Sequence, residues 1–183
     1  RALPERQVWV VGRDGTGLRR LTEPRSPGGV SEVAWLPGQR LLYLEAGELR
    51  RMSSDGGKAE VLAPAGRDRS ALTVSPDGRT AAWVEDGDLW TLPLGGGAPV
   101  RVTQVAVKAI GRGGGVYDRP DVELGRSAWD EELAPSWSPD SRYLALQYSD
   151  RRGVHAFPIP DYLTPEATLA SVRRGAPGQV NDL

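Results

Sequence analysis

The sequence predicts an all-β chain folded as a partial β-propeller, with about three and a half four-stranded antiparallel blades and a short inserted helix. Two observations predict this fold. Short apolar stretches alternate with turns rich in Gly and Asp, which is typical of antiparallel sheets. A Pro-containing turn also recurs, and its first two copies are 39 residues apart, close to the length of one blade. The prediction makes residues 1–183 one partial propeller domain.

The recurring turn joins two apolar strands at Pro37, Pro76 and Pro139, in "WLPGQR", "VSPDGR" and "WSPDSR". Pro suits the first central position of such a turn because its φ is already fixed, and Asp and Gly tolerate the remaining conformations. The second interval is 63 residues, which is 24 longer than the first. The excess predicts an inter-blade insertion within residues 105–135.

Individual strands follow from the middle copy of the repeat. "SALTV", "RTAAWV", "LWTLPL" and "PVRVT" are separated by the turns "SPDG", "EDGD" and "GGG", which predicts one complete blade. The N-terminal "RQVWVVGRDGTGLRRLT" predicts the last two strands of an earlier blade, with "GRDGTG" as their turn. "GVHAFPI" and "TLASVRR" are predicted as outer strands of the last blade.

Composition excludes several classes of protein. A chain with 39% hydrophobic and 26% charged residues is globular, and a net charge of −1 points to neither nucleic acid nor a membrane surface. There is no cysteine for a disulfide or a thiolate metal site, and no apolar run approaches the ~18 residues of a membrane span. We expect no cofactor and no metal. Arginine supplies all but two of the 23 basic residues, a bias associated with GC-rich bacterial genomes.

The insertion contains two further motifs. The Gly-rich run at 111–115 lacks the Gly-Lys-Ser/Thr ending of a phosphate loop, so we interpret it as an ordinary loop. In "SAWDEEL", Ser127 and Asp130 fit a capping box and predict a short helix over 127–133. Glu131 and Glu132 then lie in the first turn, where the helix dipole favours negative charge. An acidic turn on a solvent-facing helix explains these residues without any further function.

The chain resembles a known family in three places: the "WSPD" blade turn, the insertion between two such blades, and "RRGAPGQVND" near the end. These are similar to dipeptidyl peptidase IV and its bacterial relatives, which belong to the prolyl oligopeptidase family of serine peptidases. The resemblance implies an N-terminal propeller that caps a C-terminal α/β-hydrolase domain. The propeller itself would be non-catalytic, gating access and anchoring the free N-terminus of peptide substrates during proteolysis.

The same resemblance implies two groups of site residues. "GRSAWDEEL" is similar to the family segment whose carboxylates hold the substrate's α-ammonium, and Glu132 and Glu131 take the matching positions. Two carboxylates satisfy this three-donor cation through charge-assisted hydrogen bonds. The family also uses an arginine from a neighbouring blade to bind substrate carbonyl oxygens. Arg67 and Arg69 in "APAGRDRSALTVSP" are the candidates, and a solvated loop charge is the alternative for each.

The catalytic motifs of the family are missing from this sequence. No Gly-x-Ser-x-Gly pentapeptide occurs, since "GRSAW" lacks the final Gly, and the single histidine, His155, lies in a predicted strand. We therefore expect the chain alone to be inactive. A Tol-type propeller that binds proteins and catalyses nothing is the alternative function. A sialidase Asp-box does not fit, because the Gly of "SPDGRTAAW" directly follows the Asp.

An arc of blades leaves two blade faces and a strand edge uncovered, and such surfaces recruit partners. The blades contain Trp35, Trp83, Trp90 and Trp137, which predicts that the uncovered faces are apolar. We expect the isolated chain to associate with itself, through these faces or by strand pairing at open edges.

Overall fold

The computed structural model describes residues 6–23, 29–108, 120–125, 133–150, 152, 157–161 and 168–172. Within these ranges all the regular elements are β-strands, and they form antiparallel sheets. In chain order the strands are β1 (Trp9–Val10), β2 (Arg19–Arg20), β3 (Val30–Leu36), β4 (Arg40–Glu45), β5 (Glu48–Ser53), β6 (Glu60–Ala63), β7 (Ser70–Val74), β8 (Thr80–Glu85), β9 (Asp88–Pro93), β10 (Val100–Arg101), β11 (Val107–Lys108), β12 (Pro120–Leu124), β13 (Ser136–Trp137), β14 (Leu144–Ala145), β15 (Tyr148–Asp150), β16 (Phe157–Asp161) and β17 (Thr168–Val172).

Two sheets are complete four-stranded meanders, in the orders β3-β4-β5-β6 and β7-β8-β9-β10. The second has the four strands predicted from the middle copy of the repeat. The predicted N-terminal hairpin is confirmed as β1 paired with β2, and the two C-terminal strands pair as β16 with β17. The fold is therefore an all-β partial propeller, as predicted.

The insertion at 105–135 differs from expectation in its described parts. Its strands β11 and β12 pair with each other, and β12 also pairs with β15, giving the sheet order β11-β12-β15. No strand was predicted here, because pairings of only two and three residues leave no clear alternating pattern in the sequence. Residues 127–132 of the helix predicted over 127–133, and the Gly-rich run at 111–115, lie outside the described residues.

Apolar side chains pack between successive sheets. Leu42 and Leu44 of β4 and the fully buried Trp83 of β8 belong to the cluster between the two four-stranded sheets. On the opposite face of β4, Leu41 and Tyr43 belong to a second cluster that includes side chains of the N-terminal hairpin. Burial of each such side chain contributes about 1.5–3 kcal/mol. Because β4 is buried on both faces, its sheet is stacked between neighbours as a propeller blade is.

The tryptophans predicted to make the uncovered faces apolar are mostly inside these contacts. Trp83 and Trp90 pack between the four-stranded sheets, and Trp137 packs against a third cluster between the second sheet and β12. Trp35 is 60% exposed. Three of the four tryptophans are therefore packed between sheets, because the face of the strand on which each lies has a neighbouring sheet.

The repeated "SPD" turn has the same hydrogen bonds in both of its copies. Ser75 Oγ donates to Asp77 Oδ1 at 2.6 Å and accepts from the Thr80 amide at 3.0 Å. Ser138 Oγ donates to Asp140 Oδ1 at the same distance. The side-chain bond from Ser is the largest influence on each Asp, and it holds the pKa of both carboxyls below the ordinary value. The motif recurs because this local network closes the inner hairpin of each blade.

The turns of successive sheets contact one another. The Asp77 amide donates to Ser141 Oγ at 3.1 Å, which joins the second turn to the third. Gly78 lies so close to the Pro37 ring that any Cβ at this position would overlap it. Gly78 also has a φ of 69°, a left-handed conformation that glycine adopts without strain. The three turns are therefore stacked in chain order along one end of the sheets.

Candidate functional site

The connections between blades meet at the end of the sheets opposite the Pro-containing turns. Antiparallel order places the β4–β5 and β8–β9 turns at that end, together with the segments that lead from one sheet to the next. We term it the connection end, defined by residues 45–48, 64–69, 85–88, 102–106, 124–125 and 133. All four site residues predicted from the sequence belong to segments that begin or end here.

Each tight turn at the connection end holds the segment that follows its sheet. The Gly47 carbonyl accepts from the Gly66 amide at 3.1 Å, and the Gly87 carbonyl accepts from the Leu124 amide at 2.9 Å. Both turn glycines have positive φ, as do the residues before them, which is the conformation of a type I′ hairpin turn. The β8–β9 turn therefore binds β12 of the insertion at the position where the β4–β5 turn binds the arginine-containing connection.

Arg69 is almost fully buried in an ion pair. Its side chain is 4% exposed, and its Nε and Nη2 each lie 2.9 Å from Glu85 Oε2. Trp83 Nε1 donates to the same oxygen at 2.9 Å, and the guanidinium stacks 4.8 Å from the centre of the Trp83 ring. Among the described residues, Arg69 Nη1 has no hydrogen-bond partner. The cluster thus fixes the arginine while one of its donors remains unused within the described structure.

Arg67 has a very different environment. Its side chain is 65% exposed, and its nearest opposite charge is the neighbouring Asp68, with Nε and Oδ2 3.8 Å apart. An exposed pair at this distance contributes little to stability. Arg67 is therefore accessible to a ligand, whereas Arg69 is held in place by Glu85 and Trp83.

Glu131 and Glu132 lie outside the described residues, but both ends of their segment are described. The Leu133 amide donates to the Gly125 carbonyl at 2.8 Å, and the Gly125 amide donates to the Gln147 carbonyl at 3.0 Å. Gly125 also lies against Val84, near the end of β8. The Gly125–Leu133 hydrogen bond thus joins the residues on either side of segment 126–132. Gly125 contacts Val84, which is next to Glu85, the partner of Arg69.

Asp88 is a buried carboxylate that the sequence analysis did not identify. Its side chain is 1% exposed, and its Oδ1 accepts from Thr103 Oγ1 and from the Val105 amide, both at 2.7 Å. Arg101 pairs with Oδ2. Burial by itself raises the pKa of Asp88, but the bonds from Thr103, Val105 and Arg101 together hold that pKa below its ordinary value. In "EDGD" it is indistinguishable from a solvated turn residue, so nothing local in the sequence marks it.

Other carboxylates at this end have cationic partners. Arg50 pairs with Glu48 and lies 3.5 Å from Glu45, measured from Nε to Oε2. In the part of the chain that the structure describes, no cluster of three or more His, Cys, Asp or Glu side chains forms a metal site. No helix among the described residues is long and apolar enough to cross a membrane.

Stacked four-stranded meanders with a repeated inner-hairpin turn define a partial β-propeller. Residues 40–181 match the family described as the "Dipeptidyl peptidase IV (DPP IV) N-terminal region". The chain belongs to this family, and the resemblance predicted from the blade turns and the insertion is confirmed. No curated protein matches the chain.

Two solved structures are similar to the chain over most of its length. Dipeptidyl peptidase 4 from Porphyromonas gingivalis matches with a TM-score of 0.52 and 16% identity, covering 91% of this chain and 21% of that protein. A putative TolB from Agrobacterium tumefaciens matches with a TM-score of 0.53 and 14% identity, covering 94% of this chain and 59% of that protein. Such identities show a shared fold alone. The chain spans about a fifth of the first structure and under three fifths of the second.

Proposed function

We propose that this chain is the non-catalytic propeller portion of a dipeptidyl peptidase IV-like serine exopeptidase. In this proposal the propeller gates access to a C-terminal α/β-hydrolase domain, and Glu131 and Glu132 anchor the free N-terminus of peptide substrates. The observation that carries it is the family match over residues 40–181, which includes the whole insertion. The position of the insertion's base at the connection end supports it.

The chemistry of the anchor follows from the charge of the ligand. A free peptide N-terminus is an ammonium group with three donors, and a carboxylate pair binds it by charge-assisted hydrogen bonds. Holding the N-terminus at a fixed point determines how many residues reach the nucleophile of the hydrolase domain. Cleavage then releases a short peptide of fixed length, which is exopeptidase activity.

The arginine connection is suited to a second contact with the substrate. Gly66 in this connection bonds to the first tight turn, and Arg69 bonds to Glu85, next to the residue that contacts Gly125. The exposed Arg67 would donate to a substrate carbonyl oxygen, whereas the unused Nη1 of Arg69 is buried and would do so only after a rearrangement that exposes it. We propose these two arginines as the carbonyl-binding candidates.

A Tol-type protein-binding propeller is the second candidate function. The similarity to a putative TolB, at a TM-score of 0.53, favours it as far as the fold is concerned. The two functions differ in ligand, since a protein-binding propeller would recognise a folded surface and would not distinguish a free from a blocked peptide N-terminus.

A titration of the chain with two peptides tests the proposal. One peptide has a free N-terminus, and its twin is N-acetylated. We use the term acidic segment for residues 126–132, which include Glu131 and Glu132. We expect the free-amine peptide to shift the amide resonances of Leu124, Gly125 and Leu133 at the base of this segment, and the acetylated twin to leave them unchanged. Glu132→Gln should abolish the response. Equal responses to the two peptides, or none to either, would contradict the proposal.

The matched control is Glu60→Gln. Glu60 begins β6 at the opposite end of the sheets, is 59% exposed and pairs with Arg51. Its loss should leave the response to the free-amine peptide intact. A loss of response equal to that of Glu132→Gln would show that general charge, and not the acidic segment, attracts the peptide.

A further inference from the structure

We propose that Asp88 is a positioning residue, whose carboxylate fixes the root of the insertion against the β8–β9 turn. The consequence for substrate binding rests on the function proposed above. The insertion leaves β10 and reaches residues 105 and 106 directly beside this buried side chain. Asp88 contacts no substrate in this proposal. It acts by holding the first residues of the insertion, next to Gly87, whose carbonyl holds Leu124 before the acidic segment.

Four donors converge on the Asp88 carboxylate. Oδ1 accepts from Thr103 Oγ1 and the Val105 amide, both at 2.7 Å, and from the Ala106 amide at 3.4 Å. Oδ2 accepts from Arg101 Nη2. Arg101 and Thr103 precede the insertion, whereas Val105 and Ala106 begin it. One buried group therefore joins the end of the second blade to the first residues of the insertion.

The sheet β3-β4-β5-β6, which is the first complete blade, provides an internal comparison. Glu48 occupies the position equivalent to Asp88, as the first residue after a type I′ turn. Its carboxylate pairs with Arg50 on its own strand, and its side chain is 30% exposed. The connection that follows the first blade is short. Of these two equivalent carboxylates, Asp88 bonds to the backbone of the connection that follows its blade, and that connection is the insertion.

The two sides of the insertion are held by the same turn. Asp88 binds the outgoing chain at Val105, and the Gly87 carbonyl accepts from the Leu124 amide of the returning strand at 2.9 Å. The adjacent residues Gly87 and Asp88 therefore hold the returning strand and the outgoing chain of the insertion. Only an ionised carboxylate can accept from all the donors that reach it from the outgoing chain. An amide would place its own N–H₂ against a donor of Thr103, Val105 or Arg101.

Amide-resolved hydrogen exchange tests the proposal on the whole chain. In Asp88→Asn, we expect exchange at Val105 and Ala106 to accelerate by about tenfold or more, with the centre of β8 unchanged. Glu48→Gln, the matched control, should leave both amides as they are. Thr103→Val removes one donor to Asp88, together with the acceptor of the Leu89 amide. It should give a smaller change at Val105 and Ala106 in the same direction, which keeps the test available if Asp88→Asn does not fold. Unchanged exchange at Val105 and Ala106 in a folded Asp88→Asn variant would overturn the proposal.

A kinetic comparison in the peptidase separates this proposal from the function it rests on. Asp88→Asn should raise KM for a free-amine substrate severalfold while leaving KM for its N-acetylated twin unchanged, a difference that general destabilisation would not produce. Faster exchange at Val105 with this selective rise in KM supports both proposals. Faster exchange with equal kinetics for the two substrates supports the positioning role and contradicts the amine anchor.

Discussion

The carboxylate of Glu32 on β3 holds the backbone of Ala71 on the next blade. Glu32 Oε1 accepts from the Ala71 amide at 2.7 Å, and Oε2 accepts from the Leu72 amide at 2.5 Å. Ala71 has a φ of 60° and lies in an irregularity of β7, between Ser70 and Thr73. The two amides are turned out of the normal ladder there, and a side chain from the preceding blade satisfies them. Successive blades are thus linked by hydrogen bonds as well as by apolar packing.

Glu32→Gln should destabilise the chain by about 1–3 kcal/mol, because one carboxylate oxygen that accepts a buried amide becomes an N–H₂ donor. The free energy of unfolding in urea measures the effect. Glu23→Gln is the control, since Glu23 is 81% exposed and should change the free energy by less than about 0.5 kcal/mol. Equal stability of Glu32→Gln and the original chain would show that the bulge does not depend on this carboxylate.

Gly78→Ala should destabilise the chain by at least about 1–2 kcal/mol, the cost of a left-handed conformation for a residue with a Cβ. Overlap with the Pro37 ring adds to this cost and should loosen the contact between the first two turns. Thermal or urea unfolding measures the loss. Gly95→Ala is the matched control because a Cβ there meets nothing within 4 Å. A loss of the same size at both glycines would rule out the proposed stacking of turns.

Acid should weaken the repeated turns. The Ser75 and Ser138 hydroxyls are the main cause of the lowered pKa of Asp77 and Asp140, and the Arg152 side chain lowers the pKa of Asp150 to about 2. Groups whose pKa is lower in the folded state stabilise it above their ordinary pKa, and this contribution is lost as the pH falls toward the folded value. The melting temperature should therefore drop between about pH 4 and about pH 2. The double change Asp77→Asn with Asp140→Asn should make that drop shallower; an unaltered slope would contradict the assignment.

Self-association should depend on the exposed apolar residues of β3. Val33 and Trp35 are 52% and 60% exposed, and their cross-strand partners Tyr43 and Leu41 pack toward the β1–β2 hairpin. The hairpin covers only part of this face, and exposed apolar patches usually acquire a partner. Light scattering over a concentration series should detect association, and Trp35→Lys should weaken it.

Tyr143→Lys is the control for that measurement, since Tyr143 is 65% exposed near the third Pro-containing turn. A stable monomer at high concentration, or equal association of the Trp35→Lys variant and the original chain, would contradict the expectation.

The features predicted correctly from the sequence are local ones. The turn at Pro76 is specified by residues within hydrogen-bonding distance along the chain, such as Ser75 and Asp77, and the strands on either side follow from alternation of apolar residues. The stacked meander then follows because one unit recurs. The same locality made the family resemblance visible, since the "WSPD" turns and the insertion are contiguous motifs.

The features missed depend on contacts between residues that are distant in the chain. Glu32 and Ala71 are 39 residues apart, one repeat of the chain, and no local pattern marks either of them. Asp88 similarly acquires its role from a segment 17 residues later. The exposure of Arg67 and the burial of Arg69 were also not predictable, because both lie in one connection and differ only in whether the side chain reaches Glu85 and Trp83. The roles proposed for Glu131 and Glu132 stay predictions.

The most direct test of the proposed function is the peptidase kinetics of the full-length protein with paired substrates. One substrate has a free N-terminus and the other is N-acetylated, and each is assayed with the original enzyme, Glu132→Gln and the control Glu60→Gln. We predict that Glu132→Gln lowers kcat/KM for the free-amine substrate by the equivalent of about 2–3 kcal/mol of lost charge pairing, with little effect on its blocked twin. Equal losses for the two substrates, or no loss for either, would contradict the claim that this propeller anchors the substrate's N-terminus.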